Sequence, residues 1–300
     1  MLAPLSIDDA VAMGWAGGVA RMSAAQIAEV KASGITVFHQ SVGIIGHTAY
    51  EDALTYMASY NGLIARMSDH FARIDTGSDI EKARADGKAG VILGLQNAEH
   101  FRTVEDVTRF HGLGLRCAQL TYNTQNRLGS GSTERVDGGV SDFGAEVIRR
   151  MNDVGMLVDV SHSGDRTTLD AIELSAKPIA ITHSNCRALF GHPRLKRDEA
   201  IRKLAAKGGV MGITGVRMFV REREPTTVEH IVDHIDHVVK ITGIEHVGIG
   251  SDADLHGYDD LPPDKLEQLR GLYKSSYGFR ERIDIAGFDH PRKMFDLAEA

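Results

Sequence analysis

Short apolar runs recur along this chain, most opened by Gly and closed by a polar side chain, and they constrain its fold more than any other feature. They are GITVFHQ (34–40), GVILGLQN (90–97), GLRCAQLTYN (114–123), GMLVDVSH (155–162), KPIAITH (177–183), GGVMGITG (208–215) and HVGIGSD (246–252). Near-continuous apolar character over five to seven residues is the pattern of a strand buried on both faces, as in parallel sheets. Between the runs lie helical patterns. SAAQIAEVKAS (23–33) and SDFGAEVIRRMNDV (141–154) each open on a Ser cap, and TVEHIVDHIDHVVKI (227–241) carries Val228, Ile231, Val232, Ile235, Val238 and Val239 on one face. Alternating strand and helix predicts parallel βαβ units. With PLSIDDAVA (4–12) as a first strand there are eight candidates, the count of a (β/α)8 TIM barrel. A doubly wound open sheet is the rival. The barrel is preferred because it gathers the polar strand ends around one mouth.

The 300 residues, 42% of them hydrophobic, read as a single (β/α)8 domain over 1–300. After the eighth strand only a loop excursion (254–269) and one weak helix (291–300) are predicted, so the C-terminus reads as cut short. The formal charge is −7, from 34 basic and 41 acidic residues without a basic block, which argues against a nucleic-acid partner. No apolar run approaches the ~20 residues of a membrane span. The N-terminus lacks the basic region of a signal peptide. Cys117 and Cys186 sit in or beside apolar runs, as reduced thiols do. A soluble, cytoplasmic protein is expected.

His162 and His183 end the fifth and sixth strands, which a barrel places side by side. Neighbouring strands are ~4.8 Å apart, so two imidazoles at matching heights can converge on one ion. Asp252 ends the eighth strand and points into the same mouth, as a third ligand or a base. The other histidines carry less. His230, His234 and His237 form a stripe on an outer helix and read as a solvated face. His39 ends the second strand and could line the mouth, and Glu99 and His100 follow the third; each reads more readily as a loop residue than as a ligand. Ser163 and Ser184 follow the two strand-end histidines but lack a G-x-S-x-G setting, which argues against a serine hydrolase.

With DVSHSG, ITHSN, HPRLKRDE (192–199) and HVGIGSD in this order, the chain resembles the membrane (renal) dipeptidase family of the amidohydrolase superfamily, from about residue 4 to the end. That resemblance implies a zinc-dependent barrel that cleaves dipeptides. It makes His162 and His183 ligands of one metal, Arg194 the grip on the substrate carboxylate, and Asp252 the acid that shuttles a proton to the leaving amine.

The chain also departs from the family pattern. Where the family's first strand carries an Asp-Gly-His-x-Asp motif, this chain has DDAVA, which puts Ala10 and Ala12 at the ligand positions. Gln96 stands where a carboxylate bridges two metals, and Tyr122 where a histidine polarises the scissile carbonyl. An amide binds a divalent ion far more weakly than a carboxylate. The expectation is therefore at most one Zn2+ per chain, on His162, His183 and Asp252. Asp252 and Tyr122 are the expected catalytic groups, and Arg194, Gln96 and Asn123 the expected substrate contacts. The expected partners are a dipeptide or similar small amide with a free carboxylate, and a second copy of the chain. The alternative is a metal-free relative that binds a small zwitterion or does lyase or isomerase chemistry.

Overall fold

The apolar runs become parallel strands. The computed structural model describes residues 3–4, 22–252, 255–259, 262–271 and 273–300. Its strands are β1 (Ala3–Pro4), β2 (Val37–Val42), β3 (Phe71–Arg73), β4 (Ala89–Leu95), β5 (Leu115–Gln119), β6 (Leu157–Asp159), β7 (Ala180–Ser184), β8 (Val210–Ile213) and β9 (Val247–Ile249). All pair in parallel in the order β1-β2-β4-β5-β6-β7-β8-β9, with β3 on β4 alone. The sheet curls with β1 approaching β7, and helices cover its outer face, as in the TIM-barrel class.

One expectation about the strands needs correction, and one lies mostly outside the described residues. The described residues hold nine strands rather than eight. The extra one, β3, runs along the start of β4 (Phe71 opposite Ala89), ahead of the point where β5 begins its pairing with Leu93. Its three residues include only one that is buried, Phe71, too few to show as an apolar run. The first strand, expected over 4–12, is described only at Ala3–Pro4, opposite Phe38 and His39. Ala10 and Ala12 lie outside the described residues.

The three helical patterns named from the sequence form helices, but a further helix, Pro263–Gly271, starts inside the stretch expected as a loop excursion (254–269). Helix α1 (Ala24–Ala32) opens on a Ser23–Gln26 capping box. Then come α2 (Ala49–Arg66), α3 (Gly77–Ala85), α4 (Val104–Gly112) and α5 (Asp142–Val154); the last is capped by Ser141 and stopped by Gly155 at φ 79°. They are followed by α6 (Asp165–Leu174), α7 (Asp198–Ala206), α8 (Arg217–Val220), α9 (Val228–Thr242), α10 (Pro263–Gly271) and α11 (Lys293–Glu299). None of the described helices is long and apolar enough to cross a membrane. Both cysteines are free and buried.

On α9 the histidine stripe is not a uniformly solvated face. His234 is fully buried beside Ile231 and Val238. Its Nδ1 accepts the Cys186 amide at 3.1 Å and its Nε2 donates to the Val220 carbonyl at 2.8 Å. His237 pairs with Asp198 at 2.9 Å. The stripe joins α9 to its neighbours.

Candidate active site

The pairing of β7 with β8 slips between Ile181 and Ser184, so Thr182 and His183 together face little more than Gly212. Such a bulge re-aims side chains, and here it turns both Thr182 and His183 toward β6. Two glycines make room for the displaced backbone. A Cβ at Gly212 would come within 2.0 Å of the Thr182 carbonyl oxygen, and one at Gly250 within 1.8 Å. No other residue fits at either place.

The bulge meets a network on β6. The Asp159 carboxylate accepts the Ser161 amide (2.9 Å), the Ser161 hydroxyl (2.6 Å), the Thr182 amide (3.1 Å) and the Thr182 hydroxyl (2.6 Å). Thr182 has one hydroxyl proton, and the carboxylate takes it. The contact of 2.8 Å between Thr182 Oγ1 and His183 Nδ1 therefore has His183 Nδ1–H as its donor. Likewise His162 Nδ1 lies 2.7 Å from Asn123 Oδ1, which accepts. Burial, then the charge of Arg194, holds both imidazoles well below their usual pKa, so both are neutral. Each has its proton on Nδ1 and a bare lone pair on Nε2. Those two Nε2 atoms face each other at 2.9 Å.

Asp252 follows β9 with Oδ1 3.8 Å from His183 Nε2. Its backbone is left-handed, φ 55°, and Asn123 has φ 59°; these are the only non-glycine positive φ values among the described residues. Strained backbone of this kind clusters at functional sites. The Tyr258 hydroxyl donates to the Asp252 carbonyl at 2.7 Å. Burial pushes the Asp252 carboxyl up to about 7, against the pull of Arg194.

Arg194, fully buried, comes from the loop after β7. That loop is held by the Lys196 amide on the Asn185 carbonyl (2.8 Å) and the Ser184 hydroxyl on the Arg194 carbonyl (2.7 Å). The guanidinium donates Nη1 to the Ser161 carbonyl and Nη2 to the His183 carbonyl, and lies 5.1 Å from the Phe219 ring centre. It thus ties together the two strand ends that carry the histidines. Among the described residues its Nε has no hydrogen-bond partner. Lys196 spends all three ammonium protons on Val160 O (2.7 Å), Ser163 O (2.7 Å) and Thr168 Oγ1 (3.0 Å), pinning the turn after His162.

Tyr122 stacks on His162, with ring centres 4.2 Å apart at 20°, and its hydroxyl touches that of Tyr273 at 2.6 Å. The structure therefore brings His162, His183, Asp252, Arg194, Tyr122 and Asn123 together. Gln96 follows β4 and takes a bond from the Gln119 side chain on its carbonyl. His100 and Glu99 stand apart. His100 is buried, bonded to the Asn97 carbonyl and packed on Phe101 and Phe110. Glu99 accepts the Gly46 amide and the Asn97 side chain. Sequence reasoning did not single out Asp159, Thr182, Lys196 or Tyr273. Asp159 and Thr182 had left a signal, as polar residues inside otherwise apolar runs.

A parallel α/β barrel with imidazoles, a carboxylate and a guanidinium at its C-terminal mouth is amidohydrolase-like. Residues 19–272 match the membrane dipeptidase family (peptidase family M19), and the chain belongs to that family. It is 32% identical over 215 residues to an uncharacterized dipeptidase of Schizosaccharomyces pombe, covering 69% of this chain and 52% of that protein. Against dipeptidase verJ of Clonostachys rogersoniana it is 33% identical over 207 residues, 66% of this chain and 53% of the relative. The chain thus spans about half the length of the curated relatives it matches. Among solved structures, an amidohydrolase from Pseudomonas aeruginosa superposes with TM-score 0.81 at 29% identity, covering 96% of this chain and 90% of that one. A metallopeptidase from Rhodobacter sphaeroides, liganded with a phosphinate mimic of the dipeptide L-Ala-D-Ala, shares the fold at TM-score 0.75 and 19% identity, covering 91% and 82%.

Proposed function

We propose that this protein is a metal-dependent hydrolase of dipeptides or similar small amides with a free carboxylate, working with one divalent ion. The observation that carries this reading is the facing pair of Nε2 lone pairs. Two neutral imidazole nitrogens at 2.9 Å with no proton between them repel each other, unless a cation lies there. Two Zn–N bonds of about 2.0–2.1 Å at a tetrahedral angle span about 3.3 Å between nitrogens, so the rings need open by only a few tenths of an ångström. Among the described residues no three imidazole, carboxylate or thiolate groups form a ready-made cage. Asp252, at 3.8 Å from His183 Nε2, has to move in to complete the set. The donor chemistry suits zinc.

A divalent ion on His162 and His183 would supply Lewis acidity and a nucleophile at neutral pH. The chain supplies the rest. Asp252, poised near neutrality, takes a proton from the attacking water and returns it to the leaving amine. Arg194 keeps its Nε–H for the substrate carboxylate. Tyr122 donates to the carbonyl oxygen as charge develops there. Gln96 and Asn123 line the approach. Membership of the dipeptidase family and the dipeptide mimic bound by the Rhodobacter relative support this choice of substrate.

A second reading has one observation in its favour, the buried Asn123 Nδ2 without a partner among the described residues. Turning that amide over would let Nδ2 donate to His162 Nδ1. His162 would then carry its proton on Nε2 and donate it to His183, satisfying the pair without metal. Metal analysis of purified protein, with dipeptide hydrolysis on the same sample, separates the two. The hydrolase reading expects about one zinc per chain. His183→Ala should lose both the zinc and at least about 10³-fold of the activity. Two ions per chain, or full activity after chelation, contradicts it.

A further inference from the structure

Tyr122 is held on three sides. One face of its ring stacks on His162. Gly43 leaves room for the ring, since a Cβ there would come within 2.8 Å of it. The hydroxyl meets that of Tyr273, which arrives from 151 residues further along the chain, just after α10. Tyr273 is itself wedged. Its ring lies flat on Tyr277 (4.4 Å, 17°) and 5.0 Å from Phe279. Tyr277 in turn stands edge-on to Phe219 (5.2 Å, 86°), and its carbonyl accepts from His192 Nε2 at 3.1 Å. An aromatic stack thus carries a single hydroxyl to a single acceptor.

The proton count defines what that hydroxyl does. Burial raises both phenols, Tyr122 well above its usual range and Tyr273 to about 12, so each keeps its proton at neutral pH. Two hydroxyls in contact use one proton between them and leave one to give. Tyr122 is the member of the pair whose ring stacks on His162. We propose that Tyr273 is a positioning residue: it donates its hydroxyl proton to the Tyr122 oxygen, which frees and polarises the Tyr122 O–H for the carbonyl oxygen of the bond being cleaved. Cooperative hydrogen bonding of this kind strengthens the second donor. No proton leaves either phenol. The carbonyl π electrons move onto oxygen as the nucleophile adds and return when the C–N bond breaks. This inference rests on the hydrolase reading above.

Tyr273→Phe keeps the stacked ring and removes only the hydroxyl. It should lower kcat on a dipeptide about tenfold with KM within about twofold, while Tyr122→Phe costs about a hundredfold. The double variant should be no slower than Tyr122→Phe alone, because both changes remove one donor. In protein labelled with 13Cζ-tyrosine, the Tyr122 resonance should shift in Tyr273→Phe. Wild-type kcat in Tyr273→Phe, losses that multiply in the double variant, or an unmoved Tyr122 resonance each overturns the proposal. A wild-type protein that hydrolyses no dipeptide overturns the hydrolase reading and the catalytic role with it. The spectrum then still decides whether the hydroxyl pair exists.

Discussion

On the β6–β7 side of the barrel, Asp159, Ser161, Thr182, Lys196 and the Nδ1 atoms of His162 and His183 are all hydrogen-bonded. On β2, and on β5 directly beside β6, neither nitrogen of buried His39 nor Gln119 Oε1 has a partner among the described residues. The His39 ring fits only because Gly94 stands opposite, where a Cβ would come within 2.1 Å of Nε2. Burial pushes the His39 imidazole down to about 4, so it too is neutral. One side therefore fixes its imidazoles in tautomer and direction before anything binds. The other carries polar atoms without partners among the described residues, each at a cost of about 1–3 kcal/mol; Arg194 Nε and Asn123 Nδ2 share that condition within the site. Chemistry belongs where orientation is already settled.

Changing the wired side should have the larger effect. Asp159→Asn replaces one acceptor oxygen with a donor and disturbs the Thr182 hydroxyl that sets the His183 tautomer. Changes to groups that orient metal ligands typically cost 10–100-fold, so zinc affinity, read by competition with a chelator, should fall by about that factor. Unchanged affinity would mean that the network serves folding alone. Arg194→Lys comes next. A point charge cannot reproduce planar, two-pronged recognition, so KM for dipeptides should rise about tenfold while amidated analogues change little. Equal losses on both would remove Arg194 from substrate recognition.

The smallest effect should come from the unsatisfied side. His39→Leu replaces a partnerless polar ring with an apolar group of similar bulk. It should be neutral or stabilise the protein by about 1 kcal/mol, seen as a raised urea midpoint at constant m, with hydrolysis kept. A fall in stability or a loss of activity would give His39 a ligand or substrate to hold, and the contrast between the two sides would fail.

The wired side is also the one that the sequence announces. GMLVDVSH and KPIAITH are apolar runs that stop at a histidine, and adjacency in a parallel barrel brings those histidines together. Asp252 is legible for the same reason, at the end of HVGIGSD. His234 goes the other way: the stripe reads as a solvated face, but His234 sits between Ile231 and Val238 on the apolar face of α9 and is buried. Other features leave no such trace. Strand β3 is too short for a pattern, and the β7 bulge arises from contacts of Thr182 with Asp159 and of its carbonyl with Gly212 and Gly250. Tyr273 reaches the site through an aromatic stack that follows α10, and no local periodicity reports a contact across 151 residues.

The central claim is that His162 and His183 present bare Nε2 atoms to one shared cation. Long-range 1H–15N spectra of the imidazoles, recorded on chelator-stripped protein during a zinc titration, test it most directly. Both rings should be neutral with protons on Nδ1, and both Nε2 resonances should move together and saturate at one zinc per chain. A proton on His162 Nε2 that persists through the titration, with no movement of His183, would contradict it.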